Sequence, residues 1–546
     1  MISILLSTLL IIPALIGWGK FLENLFNSLF KGISGKIICG ILGISLVWTI
    51  LSFFIPLNIY VEIPTLALGL AYFFKDKLYQ EFSIFSKKDS LLISLISFII
   101  IFCGSFYPFI LDHFGYYVPT IQWLTEFGLM KGISNLDLTL GQMSIWHIFQ
   151  AGFSNFSDPF LRINSILLII YTLYIVEKKS WIHLCFLPVL LVFSQSPSPD
   201  LPVIIFSLLI LNEILQQNKN VSFIFIYSVF VFAIKPTMIW LPVLSFLYSL
   251  FIIKSNLKSL IPGILVLILF FFKNIYTFGY PVFPIAVGNM GISWVPNPEI
   301  LRNSSQYAIQ KTYDMQYSYP AIKQFSTSDY IINWLFLNGI KSAINILFIL
   351  SLMAFSVFAF IKRNKIIRLI CISVLIKSIL VISFSAQYRF FIDVFFVIIF
   401  VIFIPYFNKK RSIAVFSVFT LFFMSLLSFP NLLKNHLPSF SLGSAMGEFT
   451  AAQFYEPSTY EATEFNIFKV GNLKFNISKK YPFNFKTPPP SISEGYIFEN
   501  KKAGIFPQLI DEKNMKKGFI WKTMNSEEKK EAQNVINSIN SSYQQK

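Results

Sequence analysis

Phe109-Ile110-Leu111-Asp112-His113-Phe114-Gly115-Tyr116-Tyr117-Val118-Pro119 marks where a long apolar run ends and a loop crowded with aromatic and polar side chains begins. The run before it, residues 90–110, is close to the roughly 20 apolar residues that a helix needs to cross a bilayer. A charge in hydrocarbon costs several kcal/mol, so an ionisable group kept at the end of such a run points to a site. The sidedness of Asp112, and what else shares its side, then decides how the chain is organised.

The rest of the chain has the same character. Of its 546 residues 55% are hydrophobic and 13% charged, with 63 Phe. A water-soluble fold of that length cannot hide so much apolar surface, and the chain reads as a polytopic membrane protein. The net charge of +17 carries no nucleic-acid signal, because much of the basic excess lies in short loops between apolar runs, where it sets orientation. Cys39, Cys103, Cys185 and Cys371 fall within apolar stretches without metal or disulfide spacing and read as small hydrophobes. Lys outnumbers Arg, and Ile, Phe and Asn are plentiful, the bias of an AT-rich bacterial genome.

The apolar runs give fourteen expected spans, near 2–18, 36–54, 58–74, 90–110, 161–176, 181–194, 200–215, 221–234, 238–253, 257–273, 341–361, 366–384, 390–407 and 412–429. The first has no basic n-region and no small-residue cleavage site, so it counts as a helix and not as a signal peptide. Basic residues recur in alternate loops: Lys20, Lys31 and Lys36; Lys75, Lys77, Lys87 and Lys88; Lys178 and Lys179; Lys219; Lys254 and Lys258; Lys362, Arg363, Lys365 and Arg368; Lys409, Lys410 and Arg411. The positive-inside rule puts those loops in the cytoplasm. Loops 111–160 and 274–340, both termini and the active face are then extracytoplasmic, in a bacterial inner (cytoplasmic) membrane. Residues 1–89 read as additional N-terminal helices, 90–429 as the transmembrane core, and 430–546 as a small extracytoplasmic region with β structure. The fold class is therefore an all-α polytopic bundle with that C-terminal region attached.

Most unusual residues share the outer side. Loop 111–160 is long for a bundle connection; it holds an expected amphipathic helix after Pro119 and a second from about Met143 to Phe153 that brings Trp146 and His147 to the membrane surface. Asp200 follows Ser196-Pro197-Ser198-Pro199 at a helix start, where an Asp is ordinary on structural grounds and also suits a site. Arg389 splits two apolar runs, either as a snorkelling anchor or as a phosphate clamp, for which the guanidinium fork is suited. Lys235 and Lys273 read first as interfacial anchors. No metal-ligand spacing surrounds His113 or His147, so neither a metal site nor a cofactor is expected, although a divalent ion has room in this chemistry. Glu62, Lys377 and Asp393, the main ionisable residues inside spans, look scattered along the sequence.

Asp112, Tyr116-Tyr117, Trp123, Gly128 and Gly132-Ile133-Ser134-Asn135-Leu136 together resemble the first outer loop of C-type (GT-C) glycosyltransferases, in particular the bacterial branch of protein mannosyltransferases and aminoarabinose transferases. Ser196-Pro197-Ser198-Pro199-Asp200-Leu201-Pro202 and Lys273-Asn274 through Tyr280-Pro281-Val282-Phe283-Pro284 extend the similarity over roughly 90–400. The chain departs from that pattern in its three leading helices, in His113 where a second acidic residue is common, and in Lys273 where Arg is often found. The resemblance implies an inverting transfer of a sugar from a polyprenyl-phosphate donor to an envelope glycan, lipid or protein acceptor. It implies Asp112 as the base, with Arg389, His113, Tyr116, Tyr117, His147, Asp200, Lys235 and Lys273 binding substrate and the bilayer holding the prenyl tail.

A transporter or flippase for lipid-linked or small anionic substrates is the alternative from another class. Internal repeats and paired Gly-interrupted midplane helices, the marks of that class, are not evident in the sequence. An O-antigen-type polymerase or ligase would rest on Arg-rich outer loops, which the chain lacks.

Overall fold

Along the helix Ile340–Lys362, Phe348, Leu352, Phe355 and Ala359 are buried while Leu347, Leu350, Met353 and Val357 stand exposed. Both sets recur at helical spacing, so this helix is apolar toward the protein and apolar outward. Only a hydrocarbon surround makes such an outer stripe stable. The chain is a membrane protein built of helices.

The computed structural model describes residues 1–26, 31–431, 448–460, 464–479 and 481–544. Helices α1 (Ile2–Phe26), α2 (Ile33–Leu51) and α3 (Ile59–Lys75) pack closely through glycine. A methyl group at Gly40 would meet the Leu15 carbonyl, and one at Gly69 the Ala14 carbonyl, the small-residue contact that lets membrane helices approach. After α4 (Lys87–Gly104) the first long loop carries α5 (Val118–Glu126) and α6 (Ile145–Phe153). Next come α7 (Ile163–Lys178), the short α8 (Leu187–Leu190), α9 (Asp200–Leu215), α10 (Val221–Ile234), α11 (Trp240–Tyr248) and α12 (Ile261–Phe278). The second long loop holds α13 (Pro298–Thr312), α14 (Tyr319–Ile322) and α15 (Thr327–Leu335); α16 (Ile340–Lys362), α17 (Lys365–Phe384), α18 (Tyr388–Phe403) and α19 (Lys409–Ser428) complete the bundle.

Helical structure covers each of the fourteen expected stretches, but Trp181–Phe193 does so in three short pieces, with a break at Phe186. By length and composition, seven helical stretches among the described residues are able to cross a membrane: Ile2–Leu25, Ile33–Leu51, Pro236–Ile253, Leu257–Phe278, Ile340–Lys362, Lys365–Phe384 and Lys409–Ser428. Helices α7 and α9, 16 residues each, are buried almost throughout. They are apolar on every side because other helices surround them.

The C-terminal region contains the expected β structure. The alternating runs Phe465–Val470 and Leu473–Ser478 pair as an antiparallel hairpin, β1 with β2. Helix α20 (Glu494–Lys502) precedes a second hairpin, β3 (Ile505–Leu509) with β4 (Phe519–Thr523), and the charged end forms α21 (Ser526–Gln544). Residues 432–447, the start of the expected C-terminal region, lie outside the described residues.

One end of the bundle gathers the N-terminus, both long loops and the C-terminal region. The Met1 ammonium donates to the Gln453 carbonyl at 2.5 Å. Phe485 N–H donates to Phe114 O at 3.2 Å, Phe519 N–H to Lys131 O at 2.9 Å, and Trp521 Nε1 to Val295 O at 3.0 Å. Asp137 is the main clasp: its buried carboxylate accepts from Asn484 Nδ2 at 2.6 Å, from Ser493 N–H at 3.2 Å and from the Ser493 hydroxyl.

Candidate functional site

Asp112 owes its place to a local irregularity. Pro119 has no N–H to continue an α-helical ladder, and the Val118 N–H reaches back to His113 O, closing a π-helical turn over His113–Tyr117. Such widened turns are rare and recur at functional positions. The turn packs Tyr116 and Tyr117 inward, edge to face with centroids 4.6 Å apart, and leaves Asp112 at its entrance.

Opposite stands the first turn of α18. Arg389 Nη1 donates to Asp112 Oδ2 at 2.8 Å, with the two side chains 40% and 29% exposed. A second ion pair lies beside it, between Lys235 at the end of α10 and Asp200 at the start of α9. Lys235 Nζ also donates to the Arg389 carbonyl at 3.2 Å, and both cations stack on the Phe390 ring, 5.3 Å from Lys235 and 5.0 Å from Arg389. Asp200 is held by Ser198, whose hydroxyl receives the Asp200 N–H at 3.1 Å. Two carboxylates and two cations from four separate chain segments thus form one cluster at one end of the bundle. Loop 274–340 braces it: Trp334 Nε1 donates to Ala386 O at 2.9 Å, and Ser385 Oγ to Ala308 O at 3.0 Å.

The aromatic floor of the cluster is uncharged. Tyr116 lies within electrostatic range of Asp112, Arg389 and Asp200, and Tyr117 within range of Asp112 and Asp200. Burial, reinforced by neighbouring anionic groups, pushes both phenols well above their ordinary value, so they serve as neutral O–H groups.

The histidines and Lys273 sit differently from their sequence expectation. His147 and Trp146 are buried inside the protein; Ser144 caps α6 and Trp146 Nε1 donates to Asn164 at 3.0 Å, drawing that turn into the bundle. His147 packs on Tyr117 at 5.1 Å, and burial lowers its pKa to about 3, so it is a neutral imidazole and no cationic donor. Lys273 lies wholly buried behind it and donates to the Met143 carbonyl, a structural bond in place of an interfacial anchor. His113 is also buried; its Nδ1 lies 2.9 Å from Ser196 Oγ, tying the π turn to the Ser-Pro turn before Asp200. Asp112, Arg389, Asp200, Lys235, Tyr116 and Tyr117 therefore come together, with His113 and His147 as supports behind them and Lys273 deeper still.

Two contacts were not evident in the sequence. Lys377 of α17 and Asp393 of α18, scattered in sequence, form a buried ion pair, and Trp240 Nε1 donates to Asp393 Oδ2 at 3.2 Å. The spacing Arg389-X3-Asp393 places both on one face of α18 and was the available signal. Arg162 donates to the carbonyls of Gly104, Phe160, Phe106 and Ser458 and acts as a buried bracket. Among the described residues, no group of three or more His, Cys, Asp or Glu has the makings of a metal site.

The family described as Domain of unknown function (DUF8201) matches residues 1–396, and the chain belongs to it. The match takes in α1–α3 and all of the charged cluster, and it ends before the C-terminal region. No curated protein and no solved structure matches the chain.

Proposed function

From the charged cluster and the resemblance of the first outer loop to C-type glycosyltransferases, we propose that the chain is a membrane glycosyltransferase of GT-C type. It moves a sugar from a polyprenyl-phosphate donor to a glycan, lipid or protein acceptor outside the cytoplasm. The observation that carries this reading is the pairing of Asp112 with Arg389 beside Lys235 and Asp200. A carboxylate able to act as a base and two cations able to hold a phosphate stand together at one end of an apolar bundle. The topology that accompanies it has fourteen crossings and the cluster facing outward in a bacterial cytoplasmic membrane.

The chemistry divides among these groups. The acceptor O–H attacks the anomeric carbon while the carbon–oxygen bond to the phosphate breaks, and the phosphate departs with that electron pair. Asp112 takes the acceptor proton, which makes the hydroxyl a competent nucleophile. Arg389 and Lys235 stabilise the negative charge gathering on the phosphate, and the guanidinium fork matches two phosphate oxygens. Arg389 thus exchanges Asp112 for the donor phosphate on binding, which frees the carboxylate for proton transfer. Neutral Tyr116 and Tyr117 offer hydroxyls to sugar or phosphate oxygens. A single displacement inverts the anomeric centre.

A transporter or flippase of anionic lipid is the second reading, favoured by the buried Lys377–Asp393 pair, which extends charge from the cluster into the bundle. Membranes containing the wild-type chain and a panel of radiolabelled polyprenyl-phosphate sugars separate the two. Labelled acceptor with inverted anomeric configuration and released polyprenyl phosphate is the expected result. Movement of intact donor across vesicles with no acceptor labelling would replace the transferase by the transporter.

A further inference from the structure

One buried carboxylate, Asp393, joins the chain segments that carry the two cations of the cluster. Asp393 lies one helical turn beyond Arg389 on α18, on the same face. Its Oδ1 pairs with Lys377 of α17, and its Oδ2 accepts from Trp240 Nε1 at 3.2 Å. Trp240 opens α11, directly after the turn that begins at Lys235; Met238 N–H closes that turn on the Lys235 carbonyl at 2.9 Å, and Met238 Sδ lies 3.7 Å from Lys377 Nζ. Lys377 is 1% and Asp393 5% exposed in their side chains, while Lys235 and Asp200 remain within electrostatic range of the Lys377 ammonium. Both oxygens of Asp393 are engaged, so it is a fixed junction of α11, α17 and α18 and not a free stop along a path. A buried pair costs desolvation and is weak evidence for stability alone. Here it ties the segments that carry Lys235 and Arg389 to each other.

We propose that Asp393, clasped by Lys377 and Trp240, is a positioning residue that sets the spacing between Arg389 and Lys235 and so tunes the cluster to a phosphate carried on a prenyl lipid. The inference rests on the phosphate-donor reading above. Misplacement of a binding group by a fraction of an ångström weakens recognition without touching the reacting atoms.

The test uses the purified full chain in detergent, with binding of farnesyl phosphate and donor KM and kcat as readouts. Trp240→Phe keeps a six-membered aromatic ring and removes the N–H donor together with the five-membered ring of the indole, at a buried position. It should weaken farnesyl phosphate binding and raise donor KM by roughly tenfold, with kcat per folded molecule within about twofold and a thermal midpoint lowered only by the lost volume. Lys377→Arg keeps the pair and should bind like wild type. The double change Lys377→Met with Asp393→Leu exchanges the pair for apolar volume and should fold yet share the binding defect. A purely structural pair would instead lower the thermal midpoint and the active fraction at unchanged KM. Wild-type affinity in both Trp240→Phe and the double variant would overturn the positioning role. Failure of the wild-type chain itself to bind farnesyl phosphate would overturn the phosphate-donor reading, and this inference with it.

Discussion

Glu62 and Asp112 are both carboxylates at the ends of apolar segments, yet their surroundings differ. Glu62 is fully buried and saturated: Oε2 accepts from the Asn155 and Phe156 N–H groups at 3.1 and 2.9 Å, and Oε1 from the Ser157 N–H at 2.7 Å and from the Ser157 hydroxyl. It caps the loop after α6 with every lone pair in use. Asp112 keeps a side-chain exposure of 29% and has Arg389 as its hydrogen-bond partner. A saturated carboxylate has no lone pair for an incoming proton, whereas one held by a single exchangeable cation does. Coordination, more than depth in the membrane, separates a carboxylate that builds from one that can act.

Four variants break or sharpen that contrast. Asp112→Asn preserves the shape of the side chain and removes the base; sugar transfer should fall by about 10²–10⁴-fold, measured as label incorporated per folded molecule, with the thermal midpoint close to wild type. Arg389→Lys keeps a cation but loses the fork, and should raise donor KM roughly tenfold with a smaller change in kcat. Glu62→Gln reverses the pattern: four donors lose a charged acceptor, costing about 2–3 kcal/mol of stability in the thermal midpoint, while transfer per folded molecule stays at the wild-type level.

The smallest effect on transfer belongs to Asp137. Burial raises its carboxyl to about 7, chiefly against the pull of Ser493 and Asn484 toward lower values and with Glu499 adding a little in the same upward direction. Undocked and solvated, it would titrate near 4. The docked state therefore binds the extra proton between about pH 4 and pH 7, so attachment of the C-terminal region weakens as pH rises through that window and levels off above it. Limited proteolysis of the C-terminal region across this range should show the trend, and Asp137→Asn should remove it.

The helical stretches, both helices of the first loop and the presence of β structure in the C-terminal region were legible because each rests on a local pattern: apolar run length, a Pro start, period-two alternation. Asp112, Arg389, Asp200 and Lys235 were legible as charges interrupting apolar runs. Their pairing was not, since residues 35 positions apart, as Asp200 and Lys235 are, or 277 apart, as Asp112 and Arg389 are, leave no mutual trace in one sequence. Depth misled in the other direction as well. Lys273 and His147 stand next to polar loop residues in the sequence, but Ser144, Met143 and Asn164 offer them and their neighbours bonds inside the bundle, so they are drawn inward. Run length alone does not separate crossings from buried helices, because a short apolar run, such as Val221–Ile234 with its 14 residues, looks the same whether lipid or other helices surround it.

Sugar transfer per folded molecule, compared directly between Asp112→Asn and Glu62→Gln in membranes supplied with radiolabelled polyprenyl-phosphate sugar, is the decisive measurement. The account predicts that the first variant folds and fails to transfer, and that the second is less stable yet transfers at the wild-type rate once corrected for folded protein. Wild-type transfer by Asp112→Asn would contradict the assignment of the base.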